Sequence, residues 1–473
     1  MRVMKQKRNK SFVSLLLCMT VAMGTGELPF NPAVTAKAAA IEQDSVTDIN
    51  EYEDNEMIVV YKTEATTVSD LPDSATEEKL TDDCSLIEVD SKAELKDAVD
   101  TLANDPNVLV VQPNYTYYST DRLGNNSYHY LQWAYNGEHN INILPAWDMP
   151  QSAEAETIVA VVDTGIDFQH TSLLKNLWQN TDEDFYSNQD NDGNGYPGDY
   201  YGWNFYSNNN QVCEYRATQY GHEDDHGTHV AGIIGADSDA GSGIAGVASK
   251  SVSNIKIMPV KVLGGPNGSG STDSIIKGIH YAEQNGATIC NLSLGMNQYD
   301  AALHQTMHDS SMLFVCAAGN GIKATNWRGY DIGRLNVYPA CYNLPNQITV
   351  GNYNTTGQID QSSCYSSTFV NIAAPGTDIY STVVDPSHSS QGAYNYMTGT
   401  SMAAPMVTGV AAMVSSYYGN LSASQIKQAI LSGATKSPIL ASKVANGAKL
   451  NTYGALQAAA SYSYYGMDAQ KAS

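Results

Sequence analysis

The sequence predicts an α/β protein built on a doubly wound, mainly parallel sheet, with a small α+β unit ahead of it. Three observations carry this. Six apolar runs, "TIVAVVDTG" (157–165), "IKIMPVKVL" (255–263), "ATICNLSLG" (287–295), "MLFVCAAGN" (312–320), "QITVGNYN" (347–354) and "FVNIAAPG" (369–376), are nearly continuous in hydrophobic residues. Strands of that kind are buried on both faces, as in a parallel sheet covered by helices. Helix-compatible stretches alternate with them at 228–236, 273–286 and 401–419. Such alternation winds a sheet whose functional crevice lies at the carboxyl ends of the strands. Before residue 119 the pattern changes to short β-branched runs around one stretch of helical period.

In chain order, residues 1–38 read as an export signal. Arg2, Lys5, Lys7, Arg8 and Lys10 make a basic start, "SFVSLLLCMTVAMG" (11–24) is a short apolar run, and Ala36-Lys37-Ala38 offers a small-residue cleavage site. The run is too short to cross a bilayer comfortably, so the mature chain is expected outside the cell without a membrane anchor. Residues 39–118 form the small unit. "EMIVVYK" (56–62) and "VLVVQPNY" (108–115) read as strands. "SKAELKDAVDTLANDPN" (91–107) reads as a helix, with Ser91 and Glu94 at capping-box spacing. A polar Gly/Asn-rich linker follows, and residues 119–473 form the large unit.

The 473-residue chain carries a formal net charge of −24. That leaves no basic surface to displace phosphate counterions, which argues against nucleic acid as a partner. A strongly self-repelling surface suits a soluble protein more than a membrane-surface binder, and a monomer is expected. Of seven cysteines, Cys213, Cys290, Cys316, Cys341 and Cys364 fall in the large unit. The odd number and wide spacing point to buried small hydrophobes rather than a disulfide framework.

Three stretches bear chemistry. "TGTSMAAPMVTG" (398–409) puts Ser401 at a helix start, where unpaired backbone N–H groups and the macrodipole favour negative charge. Most serines at such positions are simply caps, and the G-x-S-x-G elbow does not apply because Ala403 holds the fifth place. "VAVVDTGID" (159–167) ends a buried strand in Asp163. "DDHGTHVAGIIGA" (225–236) places His226 and His229 one turn apart at the start of an apolar helix. Spacing alone does not choose between the two histidines.

Together "VVDTGID", "HGTHVAG" and "GTSMAAP" resemble the three active-site signatures of the subtilisin-like serine proteases, in the order that family uses. The resemblance runs from about Gln132 to Tyr453, and more weakly links the small unit to the family's inhibitory, chaperone-like propeptide. It implies a serine endopeptidase made as an autoprocessed zymogen, cut within "YYSTD" (117–121). It implies Ser401 as nucleophile, His226 as general base and Asp163 as its orienting carboxylate. Asn320 of "AAGN" would donate to the oxyanion, beside the Ser401 N–H. Gly268, Ser269 and Gly270, with Ser293, Leu294 and Gly295, resemble the two edges that pair with an extended substrate. Val337 stands where the family often has glycine at the base of the S1 pocket, implying small or medium apolar P1 residues. Met406 replaces a common histidine a turn beyond the nucleophile, and activity is expected to survive it.

"DNDGNGYPGDYYGW" (190–203) fits D-x-[DN]-x-[DN]-G, with Asp190, Asp192 and Asn194 at ligand positions and Tyr196 offering a carbonyl. Tyr201 sits where an EF-hand has its bidentate Glu, and Asp199 is the substitute. A structural calcium ion is expected there. Asp239 is the side-chain ligand implied by a resemblance of 237–248 to a second calcium loop of the family. A rival reading comes from "HEDDH" (222–226), which fits H-E-x-x-H, a zinc-protease pattern that needs both histidines on one helix. The Gly227 that follows at once argues against it. A non-catalytic calcium-binding scaffold is the other alternative, opposed by the filled triad positions.

Overall fold

The computed structural model describes residues 52–62, 71–72, 74–81, 84–115, 129–149, 156–184, 188–219, 221–238, 243–249, 254–419 and 421–471. The expected signal peptide, the cut within 117–121 and Asp239 lie outside them. The chain divides into two compact units, Met1–Ser119 and Thr120–Ser473.

The first unit is a four-stranded antiparallel sheet with one helix against it. Its elements are β1 (Tyr52–Tyr61), β2 (Thr76–Thr81), β3 (Cys84–Glu88), α1 (Lys92–Leu102) and β4 (Val108–Tyr115), in sheet order β2-β3-β1-β4. Met57, Val59, Ile87 and Val111 face Leu95, Val99 and Leu102 in its core. Ser91 caps α1 by accepting the Glu94 N–H at 3.3 Å, and the Glu94 carboxylate returns to the Asp90 N–H at 3.3 Å. The reciprocal half of the capping box is thus offset by one residue.

The second unit opens with two single-turn helices, α2 (Trp133–Asn136) and α3 (Leu144–Trp147), and then builds the large sheet. In chain order follow β5 (Thr157–Asp163), β6 (Trp203–Asn204), the short hairpin β7 (Ala217–Thr218) and β8 (Gly221–His222), α4 (Asp225–Gly235), β9 (Ile255–Lys261), α5 (Thr272–Gln284) and β10 (Ala287–Leu292). The chain continues through α6 (Ala301–Asp309), β11 (Leu313–Ala317), β12 (Gln347–Tyr353), β13 (Ile372–Pro375) and the hairpin β14 (Ile379–Val383) and β15 (Ala393–Met397). It ends with α7 (Thr400–Tyr418), α8 (Ala423–Gly433), β16 (Thr435–Lys436), β17 (Ala448–Lys449) and α9 (Thr452–Lys471). Sheet order is β16-β17-β13-β12-β11-β10-β5-β9-β6, parallel throughout except for β16 against β17.

All six expected runs contain strands, shortened by one to four residues at their ends. Val159 and Val161 of β5 join the core beneath α4 and α7, whereas Ala160 and Val162 join the core on the α5 and α6 face. Both faces are therefore dry, which is why the strands lack polar alternation. β5 is bordered by β9 on one side and β10 on the other. The chain turns in opposite directions there, so Asp163 at the carboxyl end of β5 stands at the topological switch point.

Candidate active site

β5 delivers Asp163 fully buried. Its Oδ1 accepts the Thr164 N–H at 2.7 Å and meets His226 Nδ1 at 2.7 Å. A carboxylate only accepts, so Nδ1 carries the proton and Nε2 keeps its lone pair. α4 brings His226 within reach because Gly227 crosses the chain after β5 without a Cβ. A Cβ there would lie 2.2 Å from the Gly165 carbonyl oxygen. The Gly227 N–H in turn donates to Thr164 Oγ1 at 3.0 Å. Burial opposes charge on the His226 ring, yet the Asp163 carboxylate outweighs it and holds the imidazole above its ordinary value. The ring remains about one-third exposed, at 32%, and faces the cleft.

α7 starts at Thr400, so Ser401 lies in its first turn with an N–H that has no intrahelical acceptor. Pro405, four residues on, has no N–H to give the Ser401 carbonyl. Ser293 Oγ supplies the missing donor at 3.0 Å, and Ser401 Oγ donates to the Ser293 carbonyl at 3.2 Å. In this conformation the Ser401 hydroxyl is turned to Ser293 rather than to His226. Gly409, a poor helix former inside α7, is needed for packing. A Cβ there would come within 2.6 Å of Val247 Cβ.

Asn320 follows β11 and is exposed. Its Oδ1 accepts the Thr400 N–H at 3.0 Å and the Thr400 hydroxyl at 3.3 Å. A backbone N–H can only donate, which fixes the amide: Oδ1 faces Thr400 and Nδ2 is left as the donor. Thr400 Oγ1 also accepts the Gly319 N–H at 3.1 Å, tying the two segments together. Thr400 was not singled out in the sequence. Its place one residue before Ser401 was the available signal.

The cleft has two compartments. One, of about 580 Å³, is lined by His226, Gly268, Ser269, Gly270, Leu294, Gly295 and apolar groups such as Leu263 and Ile275. The other, of about 170 Å³, is lined by Ser401, Asn320, Gly319, Val337 and Tyr330, and shares Ser293, Leu294 and Gly295 with the first. Ser269 pairs back onto Gly264 through two 3.0 Å backbone bonds. That spends its main-chain groups within the turn, as the Gly268 N–H is spent on the Gly265 carbonyl at 2.9 Å. Val337 is buried, with Cγ1 3.1 Å and 3.2 Å from where a Cβ would sit on Gly319 and Gly295.

The 190–199 loop folds around carboxylates. Oxygens of Glu183, Asp192 and Asp199 lie within 4.8 Å of one another, with Glu183 and Asp199 buried. Burial pushes the Asp199 carboxyl above the ordinary range, and the Asp192 charge adds to it. Hydrogen bonds from Asn180 and Asn194, against a burial effect of opposite sign, hold Asp192 below that range. Asp190 Oδ2 accepts the Gly195 N–H at 3.0 Å, Asn194 Nδ2 reaches Asp199 Oδ2 at 3.1 Å, and the Tyr196 N–H donates to Asn194 Oδ1 at 2.7 Å. Glu183 escaped the sequence reading because it lies seven residues before the motif.

The structure separates the histidines. His229 is fully buried and its Nε2 faces the carbonyls of Ile379 and Asn395 at 2.9 and 3.1 Å, so it is a neutral Nε2–H ring. Burial pushes its pKa down to about 3. The zinc-protease geometry is absent: His222 lies on β8, α4 begins only at Asp225, and Glu223 is buried against Arg216 at 3.3 Å. All five cysteines of the second unit are buried free thiols. Among the described residues no helix is long and apolar enough to cross a membrane.

Comparison with known proteins identifies the family. Residues 154–455 match the model of the subtilase family, Peptidase_S8. The chain is 31% identical over 343 residues to the thermophilic serine proteinase of Bacillus sp. (strain AK1), covering 72% of this chain and 70% of that one. It is 33% identical over 327 residues to thermitase of Thermoactinomyces vulgaris, covering 68% of this chain and 95% of that one. A solved protease from Pseudoalteromonas arctica PAMC 21717 superimposes with a TM-score of 0.54 at 26% identity, over 71% of this chain and 99% of that one. By the family model and these relatives, the chain belongs to the subtilase family of serine endopeptidases.

Proposed function

We propose that the protein is a secreted endopeptidase that cleaves extended protein or peptide substrates through Asp163, His226 and Ser401. The observation that carries this reading is the 2.7 Å contact from His226 Nδ1 to Asp163 Oδ1, which leaves Nε2 free as a base. Ser401 Oγ rotates from the Ser293 carbonyl toward Nε2, gives up its proton and attacks the scissile carbonyl carbon. Asp163 steadies the imidazolium. Asn320 Nδ2 and the Ser401 N–H receive the developing oxyanion. The imidazolium then protonates the leaving amine, and water repeats the sequence on the acyl-enzyme. Gly268 and Gly270 on one side and Ser293–Gly295 on the other hold the substrate strand. Val337 limits the depth of the 170 Å³ compartment, favouring small or medium apolar P1 side chains.

Calcium fits the 183–199 region. Three carboxylates so close, two of them buried, repel one another unless a cation joins them, and hard oxygen donors suit calcium. Glu183, Asp192 and Asp199 would hold it, with Asp190, Asn194 and the Tyr196 carbonyl as further oxygens. Its contribution is to bind the folded loop only. Residues 1–38 act as the export signal, and 39–118 as an inhibitory propeptide removed by a cut near 117–121. The enzyme works as a monomer.

A fluorophosphonate label tests the proposal. The mature protein labels at Ser401, and the Ser401→Ala variant neither labels nor loses its first unit. Labelling elsewhere, or processing that persists in the alanine variant, overturns it.

A further inference from the structure

Lys261 is a charged residue inside an apolar strand, and it is fully buried. It pairs across the sheet with Asp163, since the two residues are in register at the carboxyl ends of β9 and β5. Its Nζ donates to the Thr164 carbonyl and to Asp224 Oδ1, the latter at 2.5 Å, and stands 3.8 Å from Glu223 Oε1. The partners come from two segments that border the cleft, at 164 and at 223–224. Thr164 follows Asp163 directly. Asp224 is the N-cap residue of α4, the helix that carries His226, yet its side chain makes no capping bond. That carboxylate is spent on Lys261 and on the Glu214 N–H at 2.5 Å. Glu223 Oε1 accepts the Gly265 N–H, at the base of the turn that presents Gly268 and Gly270. Arg216 holds the outer ends of Glu223 at 3.3 Å and Glu214 at 2.9 Å.

Buried charges of this kind are a poor way to gain stability, because desolvation opposes the attraction and an apolar replacement often folds as well. Here a favoured helix cap is also given up. What the trio supplies is registry: one ammonium fixes the strand end, the histidine helix and the substrate edge against each other. We propose that Lys261 is a positioning residue of the subtilase cleft, acting through Asp224 on the catalytic pair and through Glu223 on the substrate edge. The inference rests on the triad reading above. A misplacement near 1 Å costs catalysis about 100-fold, so loosening the trio slows acylation without removing any group that touches substrate.

Lys261→Met alone strands two buried carboxylates, and unfolding would mask the result. The decisive protein is therefore the triple variant Lys261→Met, Glu223→Gln, Asp224→Asn, neutral and similar in shape, made in the full chain. Thermal midpoint, peptide kcat and KM, and the rate of fluorophosphonate labelling are compared with wild type. The expected result is a midpoint at or near the wild-type value. Labelling and kcat fall about 10- to 100-fold, and KM rises more for a tetrapeptide than for a single-residue ester. Wild-type rates in a folded triple variant overturn the inference while leaving the triad reading intact. A triple variant that does not fold also overturns it, because the trio is then a stability element. Failure of the wild type itself to label or hydrolyse peptides brings down the triad reading and this inference with it.

Discussion

Ser293 and Ser401 exchange hydrogen bonds: each hydroxyl donates to the other's carbonyl, at 3.0 and 3.2 Å. The exchange follows from Pro405, which removes the helical donor for the Ser401 carbonyl and leaves it to the side chain that follows β10. Ser293→Ala strands that carbonyl. The loss expected is about 1–3 kcal/mol of stability, the range for an unsatisfied buried group. Thermal or urea unfolding in a Ser401→Ala background, where self-digestion is absent, measures it.

The pH profile follows from the Asp163–His226 pair. Nε2 acts as a base only when the ring is neutral, and Asp163 raises the ring's pKa. Activity is therefore lost as pH falls through a value above that of ordinary imidazole. Asp163→Asn removes the charge that raises it, so the acid limb of kcat/KM moves to lower pH. Activity itself drops on the order of 10⁴-fold, because the ring loses its tautomer control. Stability carries the matching sign. The pair's contribution is full below the unfolded histidine value and is lost as pH rises through the folded one.

Asn320 is held by Thr400 so that its Nδ2 is the donor. Asn320→Ala should lower kcat about 10²- to 10³-fold with little change in KM, the pattern of a group that acts only on the oxyanion. Thr400→Val removes one of the two bonds that orient the amide and the acceptor for Gly319 N–H. A smaller fall in kcat is expected from it. Steady-state kinetics on one peptide separates the two variants.

Much of this site was legible because its residues announce themselves locally. Asp163 ends an apolar strand, His226 opens an apolar helix and Ser401 opens another, so each motif reports its own backbone context. The parts that were not legible are set by tertiary approach. Spacing alone left His226 and His229 open, and what occupies His229 is set by the carbonyls of Ile379 and Asn395, which come from the distant β14–β15 hairpin. Glu183 joins Asp192 and Asp199 only once the loop closes on itself. Lys261 stood in plain view in "IKIMPVKVL", but its partners Asp224 and Glu223 lie about forty residues earlier, in a stretch that first reads as a zinc motif. The strand pattern was correct for the same reason it was simple: helices cover both faces of the sheet, leaving no solvent side to impose alternation.

Val337 predicts specificity. It lines the 170 Å³ compartment beside Gly295 and Gly319. Val337→Gly deepens that compartment, and the ratio of kcat/KM for a P1 Phe peptide over a P1 Ala peptide should rise about 10-fold or more, as removed wall atoms in an apolar pocket are worth roughly 1–3 kcal/mol. An unchanged ratio would place P1 elsewhere.

Calcium removal is the last test, and it must be read on stability rather than on activity alone. Burial raises the Asp199 carboxyl, and Asp192 adds to it, so without a cation Asp199 resists ionisation. An ion bound only to the folded state stabilises by an amount that grows with its concentration, about 4 kcal/mol at a thousand times its Kd. In the Ser401→Ala protein, chelator should therefore lower the thermal midpoint, and added calcium should restore it in a concentration-dependent way. Asp199→Asn and Glu183→Gln should each weaken that dependence, since each removes one carboxylate from the set of three. A midpoint indifferent to calcium, in wild type and variants alike, would leave the loop held by its Asn180 and Tyr281 hydrogen bonds.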